Sequence, residues 1–413
     1  MGGLNTAPNR TVLVSGASIA GPALAYWLRR YGFAVTLVEK APALRGGGYP
    51  IDIRGTAVEV VRRMGVLPRL REAHVGVRRI SFLDEKGHPI AAIRPETISG
   101  GKEGHDLEIP RGELAEILYG AIGGDVELLF NDSIATLHDH DGGVDVSFRG
   151  GARRTFDLVI GADGIHSHTR SLAFGPEERY HRYLDYCFAG FTMPNHLGLA
   201  HEGLTWNVPG RTAVLYAPRD GDRVHAFLSF LRAEPPFDAF RNPAAQRDLV
   251  AGVFSGYGWE VPRMVAAMRE SDDLFFDVVS QIHMPRWSAG RVALVGDAAY
   301  APSFFSGQGS SLALVGAYVL AGELAAGLAA GAHHGDAFEG YERTVRSFVE
   351  MNQALATEGS AGLSPRTAED LARRNEALRD PSAVFSGAGR HAHSALALPG
   401  YDGHDRQDGH EAG

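Results

Sequence analysis

Residues 12–27, VLVSGASIAGPALAYW, have the types and spacing that hold a pyrophosphate. Gly16 follows a valine-rich run that predicts a buried strand, and Ser18 and Gly21 precede a helical pattern. A tight turn, small side chains and a helix N-terminus together let the backbone approach phosphate. Glu39 ends the next apolar run, where a carboxylate can accept hydrogen bonds from an adenosine ribose. The pattern predicts a dinucleotide site, although Ser18 replaces the usual second glycine.

Two later stretches place acidic residues at the ends of apolar runs. DLVIGADGIHSHTR (157–170) puts Asp163 and Gly164 after one run, and RVALVGDAAY (291–300) puts Asp297 after another. Open α/β sheets bind ligands at the carboxyl ends of their strands, so three such ends should meet at one crevice. A crevice of that length suits FAD better than NAD.

The tripeptide Gly307-Gln308-Gly309 opens an apolar helix and has a chemistry of its own. The positive end of a helix points free N–H groups outward. Aimed at the N1 and O2 region of a flavin, these groups would stabilise the anion of the reduced ring.

The hydrophobic pattern predicts the strands and helices that position these residues. Buried strands are predicted at 11–16 and 33–40 and directly before Asp163 and Asp297. Helices are predicted over 18–31, from Pro110, over 244–270, from Gly309 to Leu328, and over 336–356 and 365–379; a hairpin is predicted over 78–93, and short strands over 185–232. Strands that alternate with helices in this way indicate an α/β fold.

In this order and spacing, the three stretches resemble the class A flavoprotein monooxygenases, the family of para-hydroxybenzoate hydroxylase, aromatic polyketide hydroxylases and tetracycline-inactivating monooxygenases. The match covers about residues 11–350. It implies a discontinuous Rossmann-like FAD-binding domain, an inserted β-sheet substrate domain and C-terminal helices. The implied boundaries are 1–75, 105–175 and 285–360 for the FAD-binding domain and 76–104 and 176–284 for the substrate domain. Beyond the match, the pattern predicts a C-terminal helix over 361–385, and the scarcity of large apolar residues predicts a flexible tail over 386–413.

The resemblance also implies which residues bind FAD. Glu39 would hold the adenosine ribose, Arg111 in IPRGEL the phosphate region, and Asp297 the ribityl chain. Arg45 and Asp52, in RGGGYPIDIRG, match a flavin-facing loop. The full set is Gly16, Ala17, Ser18, Ile19, Ala20, Gly21, Glu39, Lys40, Arg45, Asp52, Arg111, Asp163, Gly164, Asp297, Gly307, Gln308 and Gly309. The chain departs from the family at Tyr300, where many members have histidine, and at Phe304, where proline is usual.

The resemblance implies a reaction as well. NAD(P)H, a transient co-substrate, reduces FAD; O₂ then adds to give a C4a-hydroperoxide, and one oxygen atom passes to an aromatic or polycyclic small molecule. No second glycine fingerprint follows a strand, which agrees with a transiently bound nicotinamide. A flavin hydroperoxide survives only where water is excluded, so an apolar chamber is expected.

The middle of the chain supplies apolar side chains for that chamber. The candidates are Phe188, Phe191, Met193, Trp206, Tyr216, Phe227 and Phe230, together with Phe304. In VHAFLSF, alternation puts His225, Phe227 and Ser229 on one face of a strand and their neighbours on the other, and the pattern leaves open which face is the pocket. No histidine stands out as a general base, so the sequence names no catalytic residue.

Two alternatives stay open at this stage. A Baeyer–Villiger or epoxidising relative would share every motif above. A flavin-loaded protein that binds an aromatic drug without turnover is the second, because Phe304 replaces the proline that shapes the hydroxylation site.

Composition narrows the partners and the compartment. A net charge of −9 argues against nucleic-acid binding, and one cysteine, Cys187, permits no intramolecular disulfide, which fits the reducing cytoplasm. The apolar run near 310–330 contains Glu323 and many small residues, which favours a core helix over a membrane span. We expect no metal, and a monomer or homodimer.

Overall fold

The fold is taken from a computed structural model that describes residues 10–44, 46–358, 364–379 and 388–401. In chain order the strands are β1 (Thr11–Ser15), β2 (Ala34–Glu39), β3 (Pro50–Ile53), β4 (Arg79–Leu83), β5 (Pro89–Ile93), β6 (Leu107–Pro110), β7 (Glu127–Phe130), β8 (Ile134–His140), β9 (Gly143–Phe148), β10 (Arg153–Phe156), β11 (Leu158–Gly161), β12 (His181–Pro194), β13 (Glu202–Val208), β14 (Arg211–Ala217), β15 (Arg223–Leu231), β16 (Phe275–Ile282), β17 (Ser288–Ala289) and β18 (Val292–Leu294). The helices are α1 (Ala20–Arg30), α2 (Thr56–Arg63), α3 (Leu67–Ala73), α4 (Pro95–Ser99), α5 (Arg111–Ile122), α6 (His168–Phe174), α7 (Pro243–Val253), α8 (Val261–Glu270), α9 (Asp297–Tyr300), α10 (Gly309–Ala329), α11 (His334–Glu358), α12 (Ala368–Ala377) and α13 (Ala388–His393), with short 3₁₀ turns at Glu177–Arg179 and Phe304–Ser306.

A six-stranded sheet with the order β17-β18-β11-β1-β2-β7 carries the ligand-binding motifs. Its neighbouring strands are parallel except at the edge pair β17–β18. One face packs on helices that include α1 and α10, and the other packs on the three-stranded sheet β10-β9-β8. Burial on both faces explains why its strands are nearly continuous apolar runs. This arrangement confirms the predicted Rossmann-like α/β class.

Helix α10 lies in the core of this layer. It packs against α1, α2 and α11. Its length and hydropathy would suffice to cross a membrane, but 67% of its most apolar window is buried inside the protein. The apolar run therefore forms a core helix, as its small residues and Glu323 predicted.

A seven-stranded sheet with the order β16-β12-β15-β14-β13-β4-β5 forms the second layer. Its strands come from the two stretches assigned to the substrate domain, and the predicted hairpin forms its edge pair β4–β5. Helices α7 and α8 cover one face, and the other face lies towards the FAD-binding segments. The helical stretch predicted over 244–270 is two helices, because the chain turns between them at Gly256, whose φ is 82°.

The C-terminal segment corrects one prediction, since residues 388–401 are packed rather than loose. Tyr401 donates a hydrogen bond to Glu323 at 2.6 Å, and the Pro399 carbonyl accepts one from Tyr318 at 2.6 Å. His393 is only 3% exposed. Backbone carbonyls and one tyrosine make most of these contacts, so a composition poor in large apolar residues gave no sign of them. The rest of the predicted tail, residues 386–387 and 402–413, lies outside the described residues.

Candidate functional site

The three predicted strand ends meet at one edge of the six-stranded sheet. Strands β18, β11 and β1 are neighbours, so the loops that follow them lie side by side. A Cβ atom built on Gly16 would lie 2.5 Å from the carbonyl oxygen of Ala162, and one built on Gly296 would lie 3.0 Å from the Cβ of Ala20. The structure therefore brings together Gly16, Asp163 and Asp297.

The glycines of the first loop are required by its shape. Gly16 has a φ of 105°, which L side chains rarely adopt. A Cβ on Gly21 would lie 1.8 Å from the carbonyl oxygen of Gly16, so α1 can approach the turn only without a side chain there. Ile19 makes no side-chain capping bond, and Ile19 and Ala20 are buried. The first N–H groups of α1 are thus left for an anionic ligand.

Ser18, the departure from the glycine pattern, has a defined partner. The Arg111 guanidinium donates to Ser18 Oγ at 3.0 Å. Arg111 begins α5, one residue later than predicted, while Pro110 still pairs in β6. The serine therefore holds a cation beside the glycine loop, where a pyrophosphate needs one.

Glu39 sits at the end of β2 and touches the same loop. Its Oε2 accepts the N–H of Ala17 at 2.9 Å, and its Oε1 accepts the N–H of Ala41 at 2.9 Å. A carboxylate offers about four acceptor positions, so each oxygen keeps one for a ribose hydroxyl. Lys40, the next residue, is exposed.

Asp163 uses its carboxylate inside the protein. Its Oδ1 accepts from Ser167 Oγ at 2.5 Å, and its Oδ2 accepts from the N–H and the hydroxyl of Thr169 at 2.9 Å each. These bonds fix the start of α6. Gly164 follows with a φ of 83°, so at this loop it is the backbone beside Gly16 that borders the crevice.

Asp297 and the start of α10 form the opposite wall. Asp297 Oδ1 lies 3.5 Å from a Cβ built on Gly309. Burial raises the pKa of Asp297, and the charge of Arg111 opposes that rise. Gln308, the N-cap residue, makes no side-chain capping bond, and its buried Oε1 has no hydrogen-bond partner among the described residues. Uncapped N–H groups and an orphaned acceptor are what a polar ligand would satisfy.

A glycine-rich loop, residues 46–53, closes the crevice towards the second layer. The N–H of Gly112 donates to the carbonyl of Gly47 at 2.9 Å, so the loop is tied to the start of α5. Asp52 pairs with Arg54 at 2.6 Å and lies 3.1 Å from a Cβ built on Gly307. Asp52, Gly307, Gln308 and Asp297 thus border the same end of the crevice. Arg45, predicted in this loop, lies outside the described residues.

These groups fit FAD. A glycine loop with an adjacent guanidinium suits a pyrophosphate, and a carboxylate at the end of β2 suits a ribose. The free helix end and orphaned amide oxygen at 307–309 suit the polar edge of a flavin ring. Among the described residues, no group of three or more histidine, cysteine, aspartate or glutamate side chains could hold a metal.

An aromatic cluster of Tyr49, Phe188, Phe227 and Phe304 stands between the crevice and the seven-stranded sheet. Phe304 stacks on Phe188 with ring centroids 4.5 Å apart and an interplanar angle of 12°. Tyr49, from the glycine-rich loop, meets Phe304 edge-on at 5.9 Å and Phe227 edge-on at 5.6 Å. Phe304 is nonetheless 40% exposed. The residue that replaces the family's proline therefore forms an open aromatic wall.

Strand alternation shows which residues of the sheet face the aromatic cluster. His225, Phe227 and Ser229 point towards this cluster, while the alternate residues of β15 pack under α7 and α8. Tyr216, on the neighbouring strand β14, shares the face of Phe227. The predicted pocket residues Tyr216, Phe227 and Phe304 thus lie on the site side, together with Phe188.

Four other candidates for the chamber lie on the opposite face of the sheet. Phe191, Met193, Trp206 and Phe230 are each at most 4% exposed and belong to the core beneath α7 and α8. Phe191 and Met193 differ in parity from Phe188 along β12, so the pleat turns them away. Hydrophobicity marked these residues correctly as buried but could not indicate the face.

Three residues of the site escaped prediction. Tyr49 lies within the quoted glycine loop, and burial and the nearby Asp297 raise its pKa while Arg111 opposes the rise. Asp277 pairs in register with Phe188, and Glu108 with Asp52. The last two could be found only from strand register, which no local motif records.

Tyr300, the second departure from the family, is a core residue. It is 1% exposed, its ring packs on Trp287 at 4.6 Å, and its hydroxyl accepts a hydrogen bond from Tyr341 at 2.9 Å. It packs the segment that carries Asp297 against the core and is buried away from the crevice.

Comparisons with known proteins agree with this site. Residues 9–353 match the family described as FAD binding domain. An uncharacterized protein of Mycobacterium tuberculosis is 44% identical over 366 residues, which are 88% of this chain and 97% of that protein. A flavin-dependent monooxygenase of an unknown prokaryotic organism is 37% identical over 95% of this chain and 99% of its own. The crystal structure of the tetracycline destructase Tet(55) has a TM-score of 0.81 at 35% identity, covering 95% of this chain and 99% of its own.

Proposed function

Because this chain belongs to the FAD-binding-domain family of flavin-dependent monooxygenases, we propose that it uses NAD(P)H and O₂ to hydroxylate an aromatic, polycyclic small molecule. The observation that carries this proposal is the aromatic cluster beside the flavin crevice. Phe304 lies parallel to Phe188 and is 40% exposed, so a flat ring has an aromatic surface to stack on. The likeness to a tetracycline destructase supports a polycyclic substrate.

The residues of the chain would divide the work. Ser18 and Arg111 would hold the pyrophosphate, Glu39 the adenosine ribose, and Asp297 the ribityl chain. The uncapped start of α10 would accept negative charge on the flavin edge. When bound, FAD supplies the activation of O₂ and the transfer of one oxygen atom.

Water exclusion is the task of the apolar walls. The aromatic cluster covers the crevice from the side of the substrate sheet. Beneath that sheet, α7 and α8 pack on a buried apolar core, which covers the other face of the sheet. A substrate stacked on Phe304 would complete the cover, which would couple oxygen transfer to substrate binding.

A substrate screen tests this proposal. FAD-loaded protein is mixed with NAD(P)H, O₂ and flat polycyclic compounds, tetracycline included, and we expect at least one to stimulate NAD(P)H oxidation and gain one oxygen atom. If none stimulates oxidation, the proposal is wrong. A ring-expanded product would establish the Baeyer–Villiger alternative instead.

Variants connect the screen to the cluster. Phe304→Ala should raise KM about two- to tenfold, since an aromatic pair contributes about 0.5–1.5 kcal/mol. FAD content should stay unchanged. Phe237→Ala is the matched control, because Phe237 is a 74% exposed phenylalanine elsewhere on the substrate domain. Equal KM values for the two variants would contradict stacking of the substrate on Phe304.

A further inference from the structure

The aromatic surface beside the crevice continues to the outer edge of the seven-stranded sheet. Buried Phe188 contacts two exposed rings: Phe304 stacks on it, and Phe275 meets it with ring centroids 5.5 Å apart and an interplanar angle of 49°. Phe275 is 43% exposed and lies on the edge strand β16. Phe276 and Val278 pack in the core beneath α7 and α8, so Phe275 points to the face that carries the aromatic cluster.

Gly190 lies between Phe227 and Phe275 in one row across three strands. It pairs with Phe227 of β15 on one side and with Phe275 of β16 on the other. Because neighbouring strands are about 4.8 Å apart, about 10 Å separates the Cα atoms of the two phenylalanines. Among the described residues beyond its chain neighbours, only the ring of Phe227 comes within 4 Å of a Cβ built on Gly190, with Cδ1 at 3.3 Å. The floor between the two rings is therefore bare backbone.

A glycine in the middle of a strand has a cost that calls for a reason. Glycine weakens a strand interior and marks bulges, bends or places where a ligand or another backbone approaches closely. Pairing is continuous on both sides of Gly190, and the register shift of β12 lies between Tyr183 and Tyr186. No other backbone lies within 4 Å of the built Cβ among the described residues. A side chain at position 190 would thus fill or deform space that a ligand can use.

The polar groups beside this row already have partners. Asp277, the next residue of β16 on this face, lies 3.5 Å from Nε2 of His166, and its Oδ1 accepts the N–H of Val278 at 2.8 Å. Thr192, the next residue of β12 on this face, accepts a hydrogen bond from Arg223 at 2.6 Å. The row therefore offers a ligand mainly apolar contact, which suits an aromatic ring better than a charged group.

We propose that Phe227, Gly190 and Phe275 form a second ring subsite, in which the distal ring of an elongated polycyclic substrate lies over the Gly190 backbone between the two phenylalanines. This rests on the proposed function, because the proximal ring must stack on Phe304. Linear systems of three or more fused rings would occupy both places, whereas smaller compounds would leave the outer one empty. Gly190 and Phe275 thus determine specificity for the number of rings.

Acridone and 4-quinolone are matched probes, because acridone is 4-quinolone with one more fused benzene ring and both are neutral. Binding of each to FAD-loaded protein is measured by equilibrium dialysis without NAD(P)H. Phe275→Ala should weaken acridone binding about two- to tenfold, the range for one aromatic pair, and should change 4-quinolone binding less than about twofold. Phe237→Ala, the control for an exposed phenylalanine, should change neither.

Gly190→Ala tests the floor of the subsite. Alanine suits a strand better than glycine, and the ring of Phe227 needs to move only slightly, so the melting temperature and FAD content should match the wild type. Acridone should nevertheless bind more weakly, and 4-quinolone should be nearly unaffected. Gly252→Ala on α7 is the control, since a Cβ there meets nothing within 4 Å among the described residues.

The two probes separate this inference from the proposed function. A loss of the same size for both compounds in Phe275→Ala, or a loss for neither, would overturn the second subsite alone. Phe304→Ala should weaken both compounds, because both need the proximal place. If wild-type protein bound neither compound, the aromatic wall of the proposed function would be wrong, and this inference with it.

Discussion

Replacing Glu39 by glutamine tests the cofactor site at a single carboxylate. In the wild type, both oxygens of Glu39 accept backbone N–H groups at 2.9 Å, one from Ala17 in the glycine loop and one from Ala41. Glutamine turns one oxygen into an NH₂ group, which leaves one of these N–H donors without an acceptor. That loss costs about 1–2 kcal/mol. Exchanging a charged for a neutral acceptor at the ribose removes about 1 kcal/mol more.

The lost backbone bond is missing from the apoprotein and the holoprotein alike, so it lowers the free energy of unfolding rather than the affinity for FAD. The ribose contribution of about 1 kcal/mol corresponds to FAD binding that is about fivefold weaker. Titration of FAD into apoprotein, followed by flavin fluorescence, measures it. FMN has no adenosine ribose, so its affinity should fall less than that of FAD. Glu127→Gln is the control, because Glu127 lies on the neighbouring strand and binds Thr36 and Arg154 instead. Equal losses for FAD and FMN in Glu39→Gln would refute the ribose contact.

Two further predictions concern the glycine loop and the ion pairs of His166, which lies 2.8 Å from Glu177 and 3.5 Å from Asp277. Gly21→Ala places a methyl group 1.8 Å from the Gly16 carbonyl oxygen, so we expect a lower melting temperature and FAD binding weakened at least about tenfold; unchanged values would contradict the loop geometry. Hydrogen bonds to Asp277 and Glu177 raise the pKa of His166 to about 10, so its stabilisation is complete below about pH 6.5 and is lost as the pH rises through 10. The free energies of unfolding of wild type and His166→Asn, measured with denaturant, should differ by about 1 kcal/mol near pH 6, after allowance for solvent screening, and should converge above pH 10. A difference that stays constant with pH would contradict stabilisation by the His166 ion pairs.

Motifs local in sequence predicted which strand ends meet at the crevice. Gly16, Glu39 and Asp297 each end a buried strand, and parallel strands present their carboxyl ends at one edge by necessity. The substrate side was predicted only in part. Composition selected apolar residues, but the face that each one occupies depends on parity along a strand and on which face the helices cover.

The spacing of residues along the sequence could not predict contacts between distant segments. Glu108 and Tyr216 meet only because β3–β6 and β14 come together in space, and no spacing rule links positions so far apart. At Asp163 a local motif was present but the role predicted from it was not the one observed. Its motif predicted a ligand contact, whereas its carboxylate is engaged by Ser167 and Thr169 within the fold.

The most direct test of oxygen transfer by this protein traces an oxygen atom from O₂ into the product. The polycyclic compound that most stimulates NAD(P)H oxidation is incubated with FAD-loaded protein under oxygen-18 gas, and the product is analysed by mass spectrometry. We predict a hydroxylated product that carries one heavy oxygen atom, with close to one NAD(P)H consumed per product. Recovery of the compound unchanged with release of hydrogen peroxide, or oxygen drawn from water, would contradict the claim that this crevice and its aromatic wall form a monooxygenase site.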